Sequence, residues 1–180
     1  METGTPPAKP VVLVFMGVSG SGKTTVARLV ADRLGWPFQE GDDLHPQSNI
    51  EKMKGGRPLT DADRRGWLIE IAEWIDRRLD ASECGVITCS ALKRSYRDLI
   101  NRRGSGVVFV FLAASRATIA PRLALRQAHF MPSSLLESQF ADLEDPDSDE
   151  PHIRVDAGRP PEAIADGILR ELSLAGAETA

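Results

Sequence analysis

The sequence predicts a three-layer α/β domain, in which a five-stranded parallel sheet carries helices on both faces. Short apolar runs alternate along the chain with segments whose apolar residues recur at helical spacing, a pattern typical of βαβ units. The first run, 11–16, is apolar throughout, as expected for a strand that is buried on both faces. A chain of 180 residues has room for one such domain with a sizeable core.

The strands are predicted from runs of apolar residues that are bounded by charged or turn-forming residues. They are assigned to residues 11–16, 37–40, 85–92, 107–113 and 153–155.

The helices are predicted from apolar residues at helical spacing and from their start signals. Thr60 to Asp63 is a capping-box pattern with Asp in place of Glu, and the Trp67 and Trp74 that follow are interpreted as core residues. Pro121 falls inside a helix and is expected to kink it. The predicted helices are residues 23–34, 60–79, 96–103, a segment running through Leu125, 132–143, and a terminal helix opened by Pro160 and Pro161.

The composition and the sequence pattern predict the extent of the domain and the kinds of partner that it binds. Residues 1–9 are predicted to be a disordered tail, 10–175 a single domain, and 126–150 a mobile cover over the site. The net charge of -4 argues against a nucleic-acid partner, and no apolar run reaches membrane-spanning length. Two cysteines are too few for a disulfide framework, so we expect a reducing cytoplasm.

The segment from Gly17 to Thr24 has the sequence of a phosphate-binding loop, Gly-Val-Ser-Gly-Ser-Gly-Lys-Thr. It lies between a predicted strand and a predicted helix, which is the context that this motif requires. Backbone N–H groups of the loop and the helix N-terminus would face the phosphates of a nucleotide. Lys23 is suited to the β- and γ-phosphates, and the Thr24 hydroxyl is suited to a magnesium ion.

Acidic residues follow the second predicted strand, at the same edge of the sheet. The Asp42 carboxylate is suited to accept a proton from a hydroxyl that attacks the γ-phosphate, or to align that hydroxyl. Glu40 is suited to hold magnesium through water. The alternative interpretation is a pair of solvated loop acids.

Cationic residues and a histidine surround this predicted edge. His45, Lys93 and Arg97 are positioned to meet an anionic, hydroxyl-rich acceptor, although a charged helix is often only a hydrated surface. Arg122 and Arg126 are four residues apart and therefore share one helix face, where they could contact adenine or the transferring phosphoryl group.

Taken in order, six sequence blocks resemble the short, single-domain gluconate kinases, and the match runs from about residue 11 to residue 155. The blocks Gly-Asp-x-Leu-His-Pro and Cys-Ser-Ala-Leu-Lys are more specific than the phosphate loop, which many enzymes share. The matching blocks are residues 17–24, 41–46, 49–53, 58–61, 89–93 with 96–99, and Arg122-Leu123 through His129-Phe130.

The resemblance implies a P-loop kinase fold similar to the nucleoside monophosphate kinases, a homodimer, and ATP- and magnesium-dependent phosphorylation of D-gluconate to 6-phosphogluconate. It implies Lys23, Asp42 and Arg126 as catalytic residues, Thr24 and Glu40 at the metal, and Asp42, His45, Lys93 and Arg97 at the sugar acid. The implied nucleotide-binding residues are Gly17, Val18, Ser19, Gly20, Ser21, Gly22, Lys23, Thr24, Thr25, Arg122 and Arg126.

Two other functions stay open from the residues alone. The first is a different small-molecule kinase of the same architecture, of the shikimate or adenylylsulfate kinase type, against which residues 41–46 and 89–93 argue. The second is a nucleotide-gated binding module without catalysis, which the intact Lys23, Thr24 and Asp42 disfavour.

Overall fold

The structure, a computed structural model, describes residues 9–125 and 133–178. Strands and helices alternate, with one 3₁₀ helix after the second strand. In chain order the elements are β1 (Val12–Met16), α1 (Lys23–Leu34), β2 (Phe38–Gln39), the 3₁₀ helix (Gly41–Leu44), α2 (Gln47–Lys54), α3 (Asp61–Asp80), β3 (Gly85–Thr88), α4 (Arg94–Ile100), β4 (Val107–Ala113), α5 (Arg116–Leu125), α6 (Ser133–Asp142), β5 (His152–Asp156) and α7 (Pro161–Glu178).

The five strands form one sheet in the order β2-β3-β1-β4-β5, and all four neighbouring pairs are parallel. Strand β1 lies at the centre, with every one of its residues buried, as its uninterrupted apolar sequence predicts. The predicted α/β architecture with a five-stranded parallel sheet is therefore confirmed.

Alternate residues of β1 pack into separate cores on the two faces of the sheet. Val12, Val14 and Met16 pack on the face covered by α3 and α4. Leu13 and Phe15 pack on the opposite face, against α1 and α7. The two-residue period of a strand thus places helices on both sides of one central strand.

The carboxyl ends of β1, β2 and β3 bring three loops to one edge of the sheet. The 3₁₀ helix sits especially close to β3, because the backbone N–H of Gly41 donates to the Thr88 hydroxyl at 2.9 Å. A Cβ atom at position 41 would lie 1.8 Å from the Thr88 carbonyl oxygen, so only glycine fits there. This contact fixes where the residues after β2 enter the site.

The structure differs from the sequence-based prediction at several element boundaries. Strand β3 ends at Thr88 and does not continue to residue 92, because the chain leaves the sheet and Ala91 adopts a left-handed φ of 45°. Helix α4 spans Arg94–Ile100, so the predicted helix 96–103 begins and ends too late. Pro121 lies inside α5, as predicted. The predicted tail falls outside the described residues except for its last position.

The 3₁₀ helix and α2 were not predicted as helices. The apolar pattern of α2 is weak, and its buried residue is the polar Asn49. The Asn49 side chain donates to the Asp63 carbonyl at 2.9 Å, so tertiary hydrogen bonding holds α2 where an apolar stripe does not. In the described parts of the chain, no helix combines the length and the apolar character needed to cross a membrane.

The close approach of Gly41 to β3 predicts opposite effects for two glycine-to-alanine changes. We expect Gly41→Ala to lower the free energy of unfolding by about 1–3 kcal/mol, because the new methyl group must displace backbone atoms of Thr88. Gly66→Ala, on the exposed side of α3 with no atom within 4 Å of the added Cβ, should raise that free energy by up to about 1 kcal/mol. Urea unfolding of both variants measures the difference, and equal effects would contradict the proposed steric constraint.

Candidate active site

The phosphate-binding loop connects the end of β1 to the start of α1. Gly22 is the N-cap of α1 and has a φ of 95°, a left-handed conformation that favours glycine. The Lys23 ammonium curls back over the loop and donates to the carbonyl oxygens of Gly17 and Val18, both at 3.0 Å. The loop therefore presents a cation and a helix N-terminus at one place, which is the arrangement that binds phosphate.

A cluster of three polar side chains joins the phosphate loop to the neighbouring strands. One Glu40 carboxylate oxygen accepts from the Thr24 hydroxyl at 2.7 Å, and the other accepts from the Thr88 hydroxyl. The two residues predicted to hold magnesium, Thr24 and Glu40, are therefore in direct contact. Thr88 was not predicted as a site residue, because its only signal in the sequence is its position at the end of β3 beside the site.

Asp42 lies in the 3₁₀ helix directly after Gly41. Its side chain is 81% exposed, and one carboxylate oxygen is 4.0 Å from Nε2 of His45. An exposed carboxylate next to the phosphate loop is accessible to a second substrate, as the sequence analysis expects of the acceptor-activating residue.

His45 is buried beneath this carboxylate and is neutral at physiological pH. Its ring stacks on Trp67, with ring centroids 4.0 Å apart, and Nδ1 lies 3.3 Å from the Asn49 amide nitrogen. Burial, reinforced by the positive charge of Arg64, lowers the pKa of His45 to about 4. His45 can thus offer a hydrogen bond to a substrate, but it does not contribute the positive charge that the sequence analysis allowed.

Arg97 does not occupy the position predicted for a sugar-acid contact. Its side chain is fully buried and makes two hydrogen bonds to the Glu150 carboxylate, at 2.6 and 3.0 Å. It also donates to the carbonyl oxygens of Ala91, Leu92 and Glu144. We therefore correct this assignment, because the Arg97 guanidinium is saturated by partners that hold the loop after β3 in place.

Lys93, the N-cap residue of α4, is paired with two acids from other elements. Its ammonium is 2.9 Å from Asp61, at the start of α3, and 3.6 Å from Asp142, at the end of α6. The hydrogen bond to Asp61 raises the pKa of Lys93, and the pKa of Asp61 is lowered by hydrogen bonds from Tyr96 and then from Lys93. Lys93 remains a predicted substrate contact, with its charge already offset by carboxylates.

Arg122 lies against the phosphate loop. Its guanidinium donates to the Ser21 carbonyl at 3.3 Å and to the Ala157 carbonyl, in the turn after β5, at 2.6 Å. This position is compatible with the predicted nucleotide contact. Thr25 is in the first turn of α1, and the predicted contact Arg126 lies outside the described residues.

The predicted cover, residues 126–150, contains two differently placed parts among its described residues. In α6, the Gln139 side-chain oxygen accepts from the Ser19 backbone N–H of the phosphate loop at 2.7 Å. In the segment 144–150, Glu144 accepts from the Arg94 backbone N–H at 2.6 Å and Glu150 pairs with Arg97. Residues 144–150 therefore contact α4, and their assignment to a mobile cover stays a prediction. Gln139 is a contact of the phosphate loop that the helical pattern alone did not reveal.

Cys89 is buried behind these groups. Burial raises the pKa of its thiol to about 12, so it is not a nucleophile at neutral pH. The charges of Asp42, Lys23 and Arg64 all act on this thiol. The phosphate loop, the 3₁₀ helix and α3 thus converge on the loop that follows β3.

Comparisons with known proteins agree with this geometry. The sequence model of a family described as an AAA domain matches residues 12–146. A gluconokinase of Gluconobacter oxydans (strain 621H) is 51% identical over 162 residues, which are 90% of this chain and 91% of that protein. The chain belongs to the gluconokinase family.

A solved structure extends the similarity to the whole fold. The crystal structure of a gluconokinase from Sinorhizobium meliloti 1021 has a TM-score of 0.85 and 46% identity, and the match covers 94% of this chain and 95% of that one. The adenylylsulfate (APS) kinase of Mycobacterium tuberculosis has a TM-score of 0.68 at 19% identity, covering 93% and 99% of the two chains, which shows a shared fold alone. The kinases considered as alternatives, of the shikimate or adenylylsulfate kinase type, are therefore more distant from this chain than the gluconokinases are.

The burial of neutral His45 predicts a loss of stability in mild acid. The pKa of His45 is about 4 in the folded protein against 6.5 when exposed, so the unfolded chain binds the proton first as the pH falls. The contribution of His45 is complete above pH 6.5 and decreases by up to about 3 kcal/mol as the pH falls to about 4.

The measurement is the free energy of unfolding in urea between pH 7 and pH 4, for the wild type and His45→Phe. Phenylalanine keeps an aromatic ring against Trp67 but binds no proton. We expect the variant to lose stability less steeply over this range. Parallel curves for the two proteins would exclude His45 as the titrating group.

Proposed function

We propose that the protein transfers the γ-phosphoryl group of ATP to the terminal hydroxyl of D-gluconate and produces 6-phosphogluconate. The observation that carries the proposal is the contact between Glu40 and Thr24, which holds the segment containing Asp42 against the phosphate loop. Membership of the gluconokinase family supports gluconate as the acceptor.

The phosphate loop binds the triphosphate. Lys23 exchanges its hydrogen bonds to Gly17 and Val18 for the β- and γ-phosphates, and the N–H groups at the start of α1 face the same oxygens. Arg122 contacts the nucleotide from α5, beside the loop. Gln139 closes α6 over the loop, and such closure excludes water that would otherwise hydrolyse ATP.

The residues near Thr24 fit a magnesium ion that is shared with the nucleotide. Among the described residues, no three His, Cys, Asp or Glu side chains form a metal site of their own. Magnesium in such enzymes needs only one or two protein oxygen ligands, with phosphates and water completing the shell. Thr24 would supply a direct oxygen ligand and Glu40 would hold the ion through water, and the ion would neutralise charge on the β- and γ-phosphates.

Asp42 acts on the acceptor. Its exposed carboxylate accepts the proton of the terminal hydroxyl while that oxygen forms a bond to the γ-phosphorus. The bond between the γ-phosphorus and the bridging oxygen breaks, and ADP leaves with the electron pair. Neutral His45, 4.0 Å from Asp42, is placed to hydrogen-bond the same substrate without neutralising the carboxylate.

We further propose a homodimer in the cytoplasm. The dimer is supported by the resemblance to gluconate kinases, and the cytoplasm by the presence of only two cysteines. Gluconate is the small-molecule partner, and the net charge of -4 disfavours nucleic acid.

A coupled assay of ADP release tests the function and the role of Asp42 together. The wild type should turn over with ATP and D-gluconate, and not with shikimate or adenylylsulfate. Asp42→Asn removes the proton acceptor and should lower kcat by about 100-fold or more, with ATP affinity nearly unchanged.

Two variants control this experiment. Asp43→Asn changes the adjacent exposed acid of the same 3₁₀ helix and should retain the wild-type rate. Lys23→Ala should weaken ATP binding and turnover together. Turnover of shikimate or adenylylsulfate without gluconate would reject the assignment, and a fully active Asp42→Asn enzyme would reject the role of this residue.

The contact of Glu40 with Thr24 predicts a specific magnesium defect. Glu40→Gln removes one negative charge beside the loop, so MgATP should bind more weakly by about 10-fold, a loss typical of one charge-assisted interaction. Titration of a fluorescent ATP analogue, with magnesium and with EDTA, separates this effect from general damage. We expect Glu40→Gln to weaken binding of the ATP analogue only when magnesium is present. An equal loss of affinity in EDTA would contradict a role of Glu40 at the metal.

A further inference from the structure

An arginine occupies an apolar position in the first turns of α3. Arg64 precedes Trp67, Leu68 and Ile71 at helical spacing and so lies on the face of α3 that packs into the core. Arg64 is more than nine-tenths buried, with only 7% of its surface exposed to solvent. A charged residue at such a position is rarely this buried unless it is paired.

Within residues 9–125 and 133–178, Arg64 has no carboxylate partner. Its Nε atom is buried without a hydrogen bond, and the guanidinium forms no ion pair with the described residues, although its charge acts on Asp61. The acids nearest in sequence are already engaged. Asp61 accepts from Tyr96 at 2.5 Å and from Lys93 at 2.9 Å, and Asp63 accepts from Lys52 at 2.5 Å.

A buried guanidinium N–H that lacks a hydrogen-bond partner destabilises the fold, and arginine stays charged in proteins. The same chain provides a contrast in Arg97, which is more deeply buried but is saturated by Glu150 and by backbone carbonyl oxygens. The fold therefore compensates one buried arginine internally and leaves the Nε–H of the other without a partner.

Arg64 lies on the acceptor side of the site. Its guanidinium carbon is 5.8 Å from the centre of the Tyr96 ring. Its charge acts on His45, and it acts on Cys89 together with the charges of Asp42 and Lys23. His45 lies 4.0 Å from Asp42, so the charge of Arg64 acts close to the carboxylate that is proposed to meet the acceptor.

We propose that the Arg64 guanidinium binds the carboxylate of the sugar acid and so makes the enzyme selective for an acid over a neutral polyol. The inference rests on the proposed function, since it assigns the opposite end of the substrate that Asp42 activates. Arg64 presents a planar fork of donors that matches a carboxylate. Lys93 is the less suitable cation, because Asp61 and Asp142 already offset its charge.

The kinetic test compares Arg64→Met, Arg64→Lys and Arg65→Gln, with D-gluconate and with D-glucitol, which has a hydroxymethyl group in place of the carboxylate. Arg64→Met should raise the KM for gluconate by about 10- to 100-fold, the loss expected for one or two charge-assisted hydrogen bonds. The KM for ATP should stay close to that of the wild type. The preference for gluconate over glucitol should fall by the same factor, and Arg64→Lys should restore part of it.

Arg65 provides the matched control, since it is the neighbouring arginine of the same helix and is exposed. Arg65→Gln should keep the wild-type KM values and the wild-type preference for gluconate.

Thermal unfolding separates ligand binding from a structural role. Arg64→Met removes an unpaired buried charge, so the ligand-free variant should melt at or above the wild-type temperature. Arg97→Met strands the buried Glu150 carboxylate and should lower the melting temperature by about 6 °C or more. Added gluconate should stabilise the wild type and not Arg64→Met.

The outcomes distinguish the two proposals. If the wild type does not phosphorylate gluconate, the proposed function fails and this inference fails with it. If the wild type is active and Arg64→Met keeps its KM for gluconate, only the role of Arg64 is overturned. A large fall in the melting temperature of ligand-free Arg64→Met would likewise overturn it, by showing that Arg64 supports the fold.

Discussion

The hydrogen bonds of Glu40 connect the two halves of the site. Glu40 directly follows β2 and accepts from Thr24 at the start of α1 and from Thr88 at the end of β3, so one carboxylate joins three structural units. The next residue, Gly41, packs on Thr88 with no space for a side chain. The direction in which Asp42 leaves the sheet is therefore set by contacts made before the substrate arrives, which is the preorganisation that phosphoryl transfer requires.

Charge pairing divides the ionic residues around the site by role. Arg97, Glu150 and Arg94 form a closed network that fixes the loop after β3 and the segment 144–150 to α4. Asp42 is exposed, whereas the Nε–H of Arg64 is buried without a hydrogen-bond partner. A buried arginine that is paired within the protein, such as Arg97, therefore has a structural role. A buried arginine with an N–H that lacks a partner, such as Arg64, is a candidate for ligand binding, because a partner must offset the free-energy cost of desolvation.

The sequence predicts the fold well where one residue pattern carries one physical requirement. The continuous apolar run of β1 requires burial on both faces, and the glycine-rich loop between strand and helix requires a phosphate-binding turn. The sequence predicts less of the structure where tertiary contacts determine it. Helix α2 depends on the hydrogen bond of Asn49, and the roles of Arg97 and Arg64 depend on which arginine meets Glu150, a residue more than fifty positions away. No local spacing distinguishes those two arginines.

The neutrality of His45 follows from the same electrostatics. His45 is buried against Trp67, and a positive charge from Arg64 makes its protonation still less favourable. A protonated His45 would place a positive charge 4.0 Å from the Asp42 carboxylate, whereas the neutral ring adds none. Arg64 thus has a second effect under the proposed function. Burial keeps His45 neutral, and the charge of Arg64, the cation proposed to bind the carboxylate of the acceptor, reinforces that neutrality.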